Sequence, residues 1–269
     1  MGIIEALVLG FVQGLTEFIP VSSSAHLVLV PAFLGWGKPP MWFDVFLHAG
    51  TLLGIIVFFW PEVVKYVKAF FAGLPKIGRG LPPDSIFSYN LILSVVPAII
   101  FGLLFESRIE SVFQDPKTTS YLLLVTAAFL IVASLMSGKR KLEETTWIDA
   151  LTVGCAQAIA MFPGISRSGA TITAARLLGF GKKSSSKLAF LVAIPAVGAA
   201  TAKTLYDVYK MVASSGMQID WMPSIVGFVV AAVVGYLSFF LFFKVIQKFN
   251  FYIFAAYCVA LFVVAQIIL

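Results

Sequence analysis

Long apolar runs separated by short polar segments dominate the chain. Six of the runs are long enough to cross a membrane as helices, because about 20 residues at ~1.5 Å each cover roughly 30 Å of hydrocarbon. The predicted crossings lie at about 42–60, 89–105, 119–137, 187–203, 222–243 and 251–269. The pattern therefore predicts an all-α polytopic membrane protein.

Two further apolar segments, 3–34 and 147–180, are too long for one crossing and too short for two. Pro, Gly and Ser interrupt each of them in the middle, in the stretches FIPVSSS and FPGISRSGAT. Irregular backbone at membrane depth is tolerated only where protein buries it or where it lines a wet cavity. We therefore predict that each segment is a re-entrant hairpin made of a helix, a break and a second helix.

The two broken segments match each other without a gap at a shift of 144 residues. Glycine and polar positions carry the match, in the pairs Gly10/Gly154, Gln13/Gln157, Ser22/Ser166, Ser24/Ser168, Gly35/Gly179 and Gly54/Gly198. Each half then contains one hairpin and three crossings, so the second half enters the membrane inverted. We predict one membrane domain, residues 1–269, with an inverted repeat at about 1–137 and about 145–269.

Composition agrees with a membrane location. Of the 269 residues, 60% are hydrophobic and 12% are charged, whereas soluble domains carry about 25% charged residues. The net charge of +6 resides mainly in short loops, so we expect no nucleic-acid partner. The start, MGIIEALVLGFVQG, has no basic region before its apolar residues and does not predict a cleaved signal peptide. Cys155 and Cys258 lie in apolar runs and predict neither a disulfide nor a metal site.

Lysine and arginine are distributed unevenly between the two sides of the predicted topology. Twelve lie in or beside the loops 61–88, 138–146, 181–186 and 244–250, and five lie on the side that holds both termini. The positive-inside rule places the more basic side in the cytoplasm. Both termini are therefore predicted to lie outside.

Few ionisable residues remain once loops and helix ends are set aside: Glu17 and His26 near the first break, and Arg167 and Arg176 in the second broken segment. A charge at the bilayer centre costs at least ~2.5–3.5 kcal/mol, so such residues mark candidate functional sites. Repeat symmetry would bring Glu17 and Arg167 together. A buried ion pair that only joins the hairpins is the alternative, but it leaves the serines and His26 without a role.

The second break, GISRSGAT at residues 164–171, places glycines, hydroxyls and one guanidinium ahead of a helix. Backbone N–H groups at such a break bind anions, and an arginine can hold phosphate through two parallel hydrogen bonds. Each serine alone could equally serve as a helix cap. We predict a phosphate-binding element made of Ser166, Arg167, Ser168 and Thr171.

The first break supplies the complementary chemistry. The carboxylate of Glu17, with Gln13 one helical turn earlier, can hold a divalent cation through oxygen ligands. A hydroxyl such as Ser23 can attack phosphorus if a base takes its proton, and His26 lies three residues further on. We favour Ser23 as the nucleophile with His26 as its base, and direct attack by His26 stays open. His48 has no such company and is predicted to be structural.

The motifs QGLTEFIPVSSSAH and PGISRSGAT resemble the two signature motifs of the undecaprenyl-diphosphatase family, the bacitracin-resistance type of polyprenyl-diphosphate phosphatase. The resemblance extends to FDVFLHAGTLLGIIVFFW after the first motif and to FLVAIPAVGAA after the second. It implies an inner-membrane enzyme that removes one phosphate from a C55 isoprenoid diphosphate and so recycles the lipid carrier for cell-wall glycans. It also implies a divalent cation (Mg²⁺ or Ca²⁺), a site open to the outer, periplasmic face, and a homodimer.

The resemblance also assigns roles position by position. Ser22 joins the phosphate-binding set, and the implied metal ligands are Glu17 and Gln13. The implied catalytic residues are Glu17, Ser23, His26 and Arg167. The family often has a second glutamate where this chain has Gln13, whose amide oxygen can coordinate a cation but adds no charge. More of the metal role is therefore expected to fall on Glu17.

Three other classes of protein fit the sequence in part. A transporter or flippase is the main alternative, because inverted repeats with broken helices are typical of transporters. Such a protein would use Arg167 but not a serine and a histidine beside a carboxylate. A membrane lipid phosphatase of the acid-phosphatase type would need a histidine shortly after the Ser-Arg pair, and none follows Arg167. A non-enzymatic scaffold leaves the buried charges without a role.

Overall fold

The computed structural model describes residues 1–113, 115–215, 221–245 and 250–269. Within these ranges the ordered elements are helices and the chain forms no strand. The α-helices are α1 (Ile3–Thr16), α2 (Ser23–Leu34), α3 (Met41–Phe58), α4 (Trp60–Gly73), α5 (Pro83–Leu93), α6 (Val96–Phe113), α7 (Pro116–Leu135), α8 (Trp147–Ile159), α9 (Arg167–Leu177), α10 (Lys182–Ser215), α11 (Trp221–Val245) and α12 (Tyr252–Ile268).

Several of these helices are long and apolar enough to cross a membrane. Four stretches meet this description in the part of the chain that is described: Pro83–Val112, Pro116–Leu135, Lys182–Ser214 and Trp221–Lys244. A fifth results if α3 and α4, which meet at 88°, form one broken span. The prediction of an all-α polytopic membrane protein is confirmed. The predicted crossing at 251–269 corresponds to α12, which with 17 residues is shorter than a typical span.

The predicted loop 61–88 is partly helical, which corrects the sequence reading. Its first part forms α4, which turns away sharply from the end of α3, and Pro61 lies in the first turn of the new helix. Basic residues alternate with apolar ones at helical spacing in this segment, so the length of its apolar runs did not reveal the helix. Lys248, one of the twelve residues used to orient the chain, lies outside the described residues.

Both broken segments are helix–break–helix units. The first consists of α1 and α2 with a break at 17–22, the second of α8 and α9 with a break at 160–166, and the two helices of each unit pack together. Helix α1 also packs on α11 of the second half, and α8 packs on α6 of the first half. The two halves of the chain are therefore interleaved.

Glycines allow the close helix contacts on which this interleaving depends. A Cβ atom on Gly10 of α1 would lie 2.7 Å from the carbonyl oxygen of Gly227 in α11. A Cβ atom on Gly154 of α8 would collide with the carbonyl oxygen of Ser94, at the end of α5. Small residues are the usual solution for close helix packing in membranes, where hydrophobic burial gives little drive for association. The matched glycines Gly10 and Gly154 thus each allow close approach to the backbone of a neighbouring helix.

An aromatic cluster anchors the first break. Phe18, directly after Glu17, is buried and packs edge-on against Phe239 of α11, with 4.9 Å between ring centroids. Phe239 also contacts Phe190 of α10 at 4.7 Å. Such edge-to-face pairs fix ring positions more tightly than aliphatic contacts do. The backbone that carries Glu17 is therefore held against two helices of the second half.

Candidate active site

The first break presents Ser23 as the opening residue of α2. Ser22 precedes it with φ 66° and ψ 87°, and it is the one residue other than glycine with a positive φ among those described. The Ser22 hydroxyl caps the helix by accepting a hydrogen bond of 3.3 Å from the backbone N–H of Ala25. This left-handed turn bends the chain back, so that the side chain of Ser23 faces Glu17.

The buried carboxylate of Glu17 is the centre of the site. Its Oε2 atom accepts a hydrogen bond of 2.5 Å from the Ser23 hydroxyl and one of 2.9 Å from Nε2 of Gln13. Its Oε1 atom forms an ion pair with Nη2 of Arg167, which arrives from the second break. The predicted convergence of Glu17 and Arg167 is therefore present, and Ser23 and Gln13 join them.

The second break is held by a threonine of α7. The Thr126 hydroxyl donates to the carbonyl oxygen of Gly164 at 2.8 Å and accepts from the backbone N–H of Ser166 at 2.8 Å. Gly164 has φ 103°, where a side chain would be strained, and an added Cβ would collide with the carbonyl oxygen of Thr119. Because both sides of the break are fixed, α9 begins with Arg167 aimed at the first break.

The other predicted phosphate-binding residues of the second break, Ser166, Ser168 and Thr171, are buried and form hydrogen bonds within the break and α9. The Ser166 hydroxyl caps α9 by accepting a 3.1 Å hydrogen bond from the N–H of Gly169, and it lies 3.2 Å from the Ser168 hydroxyl. The Thr171 hydroxyl donates to the carbonyl oxygen of Arg167 at 2.8 Å and is fully buried. Of this set, Arg167 is the residue that the structure brings to Glu17. The helix-cap alternative therefore describes the geometry of Ser166.

His26 is close to the site in sequence but is bonded elsewhere. Its Nδ1 atom lies 2.8 Å from the carbonyl oxygen of Ser22, and its Nε2 atom lies 2.8 Å from the hydroxyl of Tyr257 in α12. The structure therefore pairs Ser23 with Glu17 rather than with His26. Ser23 and His26 do lie one turn apart in α2, as predicted, but the Ser23 hydroxyl is bonded to Glu17 and both ring nitrogens of His26 have other partners.

His48 lies beside the carboxylate, so the prediction that it has no polar company is wrong. Its Nε2 atom is 3.7 Å from Oε2 of Glu17, and its Nδ1 atom is 2.7 Å from the carbonyl oxygen of Asp44. A carbonyl only accepts, so in the neutral ring the hydrogen is on Nδ1 and the Nε2 lone pair faces the site. Helix α3 packs on α1 and thereby brings His48 to Glu17.

The space between these groups is small. A cavity of about 10 Å³ is lined by Glu17, Phe18, Thr51, Leu52, Ile55, Arg167, Ala193 and Val197. A single water molecule needs ~10–15 Å³ measured in this way. A phosphate group is larger, so Glu17 and Arg167 must separate before one can enter between them.

The residues at Glu17 fit a hard divalent cation in part. The Oε1 atom of Gln13 is buried and, among the described residues, has no hydrogen-bond partner, while Nε2 of the same amide donates to the Glu17 carboxylate. Amide and carboxylate oxygens are ligands that Mg²⁺ and Ca²⁺ accept, with the remaining positions open to water or phosphate oxygens. The described residues contain no cluster of three or more His, Cys, Asp or Glu side chains that could hold a metal. Two protein oxygens are thus available.

Sequence reasoning missed three side chains that support the site: Thr126, His48 and Tyr257. Thr126 and Tyr257 are single polar residues within apolar runs, LLLVTAAFL and FAAYCVAL, which is a weak signal. His48 follows Asp44 by one helical turn inside an apolar helix, and that spacing could have identified it.

Comparison with known proteins identifies the family. The sequence model described as bacitracin resistance protein BacA matches residues 6–264. The undecaprenyl-diphosphatase of Geotalea daltonii is 36% identical over 263 residues, covering 97% of this chain and 96% of that protein. That of Methanosphaera stadtmanae is 36% identical over 268 residues, with 96% and 95% covered, and that of Elusimicrobium minutum is 38% identical over 260 residues, with 96% and 95% covered. The resemblance read from the two motifs is confirmed, and the chain belongs to the bacitracin resistance protein BacA family.

Proposed function

We propose that the protein hydrolyses undecaprenyl diphosphate to the monophosphate and inorganic phosphate, and so recycles a lipid carrier for cell-wall glycan synthesis. The observation that carries this proposal is the convergence of the Ser23 hydroxyl and the Arg167 guanidinium on one carboxylate, Glu17. A nucleophile, a base and a phosphate clamp are thereby within reach of one phosphorus atom. Relatives named undecaprenyl-diphosphatase that match nearly the whole chain support the choice of substrate.

In the first step the Ser23 oxygen attacks the terminal phosphorus while its proton moves to Oε2 of Glu17, to which it is already hydrogen-bonded at 2.5 Å. The bond between that phosphorus and the bridging oxygen breaks, and undecaprenyl monophosphate leaves as an anion that needs no proton. Arg167 turns from Glu17 to the phosphate oxygens and stabilises the charge that develops on them. The product of this step is a phosphoserine.

In the second step water attacks the phosphoserine. Glu17, which has released the first proton to solvent, takes a proton from the water and returns one to the Ser23 oxygen as inorganic phosphate leaves. In the resting protein the Nε2 amide of Gln13 donates to the same carboxylate oxygen and orients it. Glu17 and Oε1 of Gln13 would hold a divalent cation, which supplies charge neutralisation for the diphosphate when bound.

The arrangement of the chain in the membrane is also part of the proposal. We infer an inverted repeat of two halves, each with a re-entrant hairpin and three crossings, because the two breaks share matched caps and glycine contacts. The uneven distribution of lysine and arginine supports a topology with both termini on the periplasmic side. The inner membrane and a site open to the periplasmic face are proposed from the family resemblance. A homodimer is proposed from the family resemblance.

Phosphate release by the purified protein tests the function. The full chain in detergent is incubated with undecaprenyl diphosphate, with Mg²⁺, with Ca²⁺ and with a chelator. We expect one phosphate per lipid and a loss of rate with the chelator, while Ser111→Ala, at an exposed serine of α6, serves as a matched control that keeps the rate. A folded protein that releases no phosphate but moves the lipid between vesicle leaflets would overturn the proposal in favour of a transporter.

A further inference from the structure

The turn at Ser22 is strained and needs to be held. A residue with a Cβ atom is disfavoured at φ 66°, because Cβ approaches the following carbonyl. The Ser22 carbonyl oxygen accepts two hydrogen bonds from His26. One comes from the backbone N–H at 3.3 Å and the other from the ring atom Nδ1 at 2.8 Å. His26 is therefore the residue that fixes the turn from which Ser23 faces Glu17.

Tyr257 fixes His26 in turn. Because the Ser22 carbonyl only accepts, Nδ1 carries the hydrogen and the lone pair of the neutral ring is on Nε2. The Tyr257 hydroxyl lies 2.8 Å from Nε2 and donates to it, and the two rings are nearly parallel at 9°. The two hydrogen bonds thus select one tautomer and one orientation of the buried imidazole.

This contact joins distant parts of the chain. His26 and Tyr257 are 231 residues apart, and α2 and α12 both pack against α7, which brings them together. Half of the Tyr257 side chain faces the surroundings, so packing alone does not account for where its hydroxyl lies. The last helix of the second half thereby reaches the first break.

We propose that Tyr257 is a positioning residue for the reaction, acting through His26 on the Ser22 turn and so on the direction of the Ser23 hydroxyl. As a statement about turnover this rests on the proposed function. The underlying contact is a property of the resting protein and can be measured without substrate.

Nitrogen NMR of the imidazole rings tests the contact. The chain contains two histidines, so a protein labelled with ¹⁵N-histidine gives two ring systems, and His48→Gln assigns them. We expect His26 in the tautomer with hydrogen on Nδ1, and we expect Tyr257→Phe to shift its Nε2 resonance and to admit the other tautomer. Tyr252→Phe, at a half-exposed tyrosine of the same helix, is the matched control and should change neither. An unchanged His26 signal in Tyr257→Phe would overturn the proposal.

A double-mutant cycle tests the positioning role. Tyr257→Phe should lower kcat about three- to tenfold with little change in KM, because one hydrogen bond is lost and the phosphate clamp is intact. In the His26→Ala background the same substitution should have no further effect on kcat, because the imidazole through which Tyr257 acts is absent. Additive losses, or a loss confined to KM, would contradict the proposal. If the wild-type protein releases no phosphate, the proposed function fails, while the NMR result still decides the contact.

Discussion

The two breaks have the same frame and carry different chemistry. In each, a serine hydroxyl caps the following helix and lies 3.2 Å from a second serine hydroxyl two residues later, at Ser22 in the first break and at Ser166 in the second. The next residues, Ser23 and Arg167, are equivalent positions at the shift of 144, and both meet Glu17. The same frame thus presents a hydroxyl to Glu17 from one break and a guanidinium from the other.

The breaks also differ in how the backbone turns. In the first break a serine, Ser22, adopts the positive φ, whereas in the second Gly164 does so and Ser166 is extended at φ −69°. The second turn is held by Thr126 and the first by His26. The serine caps, which the two breaks share, set the residue at which each helix begins. The backbone turn before each cap is stabilised by a different residue, His26 in the first break and Thr126 in the second.

The largest loss of turnover is expected at Ser23, the position of the first break that corresponds to Arg167 in the second. Ser23→Ala removes the nucleophile and should lower turnover at least about 1000-fold, whereas Ser24→Ala, next to it, should cost less than about tenfold. Denaturing the wild-type enzyme during turnover of labelled substrate should trap acid-stable, base-labile phosphoserine. Acid-labile phosphohistidine would assign the attack to a histidine instead.

The equivalent position in the second break should be next in effect. Arg167→Ala and Arg167→Lys should each lower kcat by about 10²–10³, the range found when one transition-state donor is lost. Lysine keeps the charge but not the planar fork that holds two phosphate oxygens. Arg108→Lys, at an exposed arginine of α6, is the control and should leave kcat unchanged. Full activity of Arg167→Lys would show that two-oxygen recognition is not needed.

Cation dependence should change more modestly. Gln13→Glu adds a charged oxygen next to Glu17, so the metal concentration for half-maximal rate should fall several-fold while kcat stays within about tenfold of the wild type. Titration of Mg²⁺ and of Ca²⁺ against phosphate release measures this. Glu17→Gln is the contrasting variant, and it should lose most of the activity at every cation concentration. Equal, mild effects of both changes would remove the metal role from this face of α1.

The smallest expected effect is a difference in the free energy of unfolding between glycine variants at the two cap residues, Ser22 and Ser166. Ser22→Gly loses a cap but relieves a left-handed conformation that costs ~1–2 kcal/mol, so its free energy of unfolding should be equal to or above that of the wild type. Ser166→Gly loses the cap at an extended residue and gains only backbone freedom, so it should be less stable by roughly 0.5–1 kcal/mol. Denaturant unfolding in detergent compares the two, and equal losses would mean that the Ser22 turn carries no strain.

Much of this architecture could be predicted from the sequence, because the cost of irregular backbone and of charge in hydrocarbon restricts the possibilities. These costs pointed to the two breaks and to the meeting of Glu17 with Arg167. The hydrogen-bond partner of Ser23 could not be predicted, because it depends on the positive φ at Ser22. Serine rarely adopts this angle, so the sequence does not indicate it. Contacts of His48 and Tyr257 depend on how separate helices pack, and α4 was missed because its apolar residues form a stripe rather than a run.

The ion pair between Glu17 and Arg167 has a consequence for how the chain is made. The two residues are 150 positions apart, so at ~5–20 residues per second roughly 8–30 s of synthesis separate them. Until Arg167 arrives, the newly inserted first half carries a carboxylate whose strongest partner does not yet exist. We therefore expect the first hairpin to reach its final position only after Arg167 has been made, and a chain cut between the halves to be degraded.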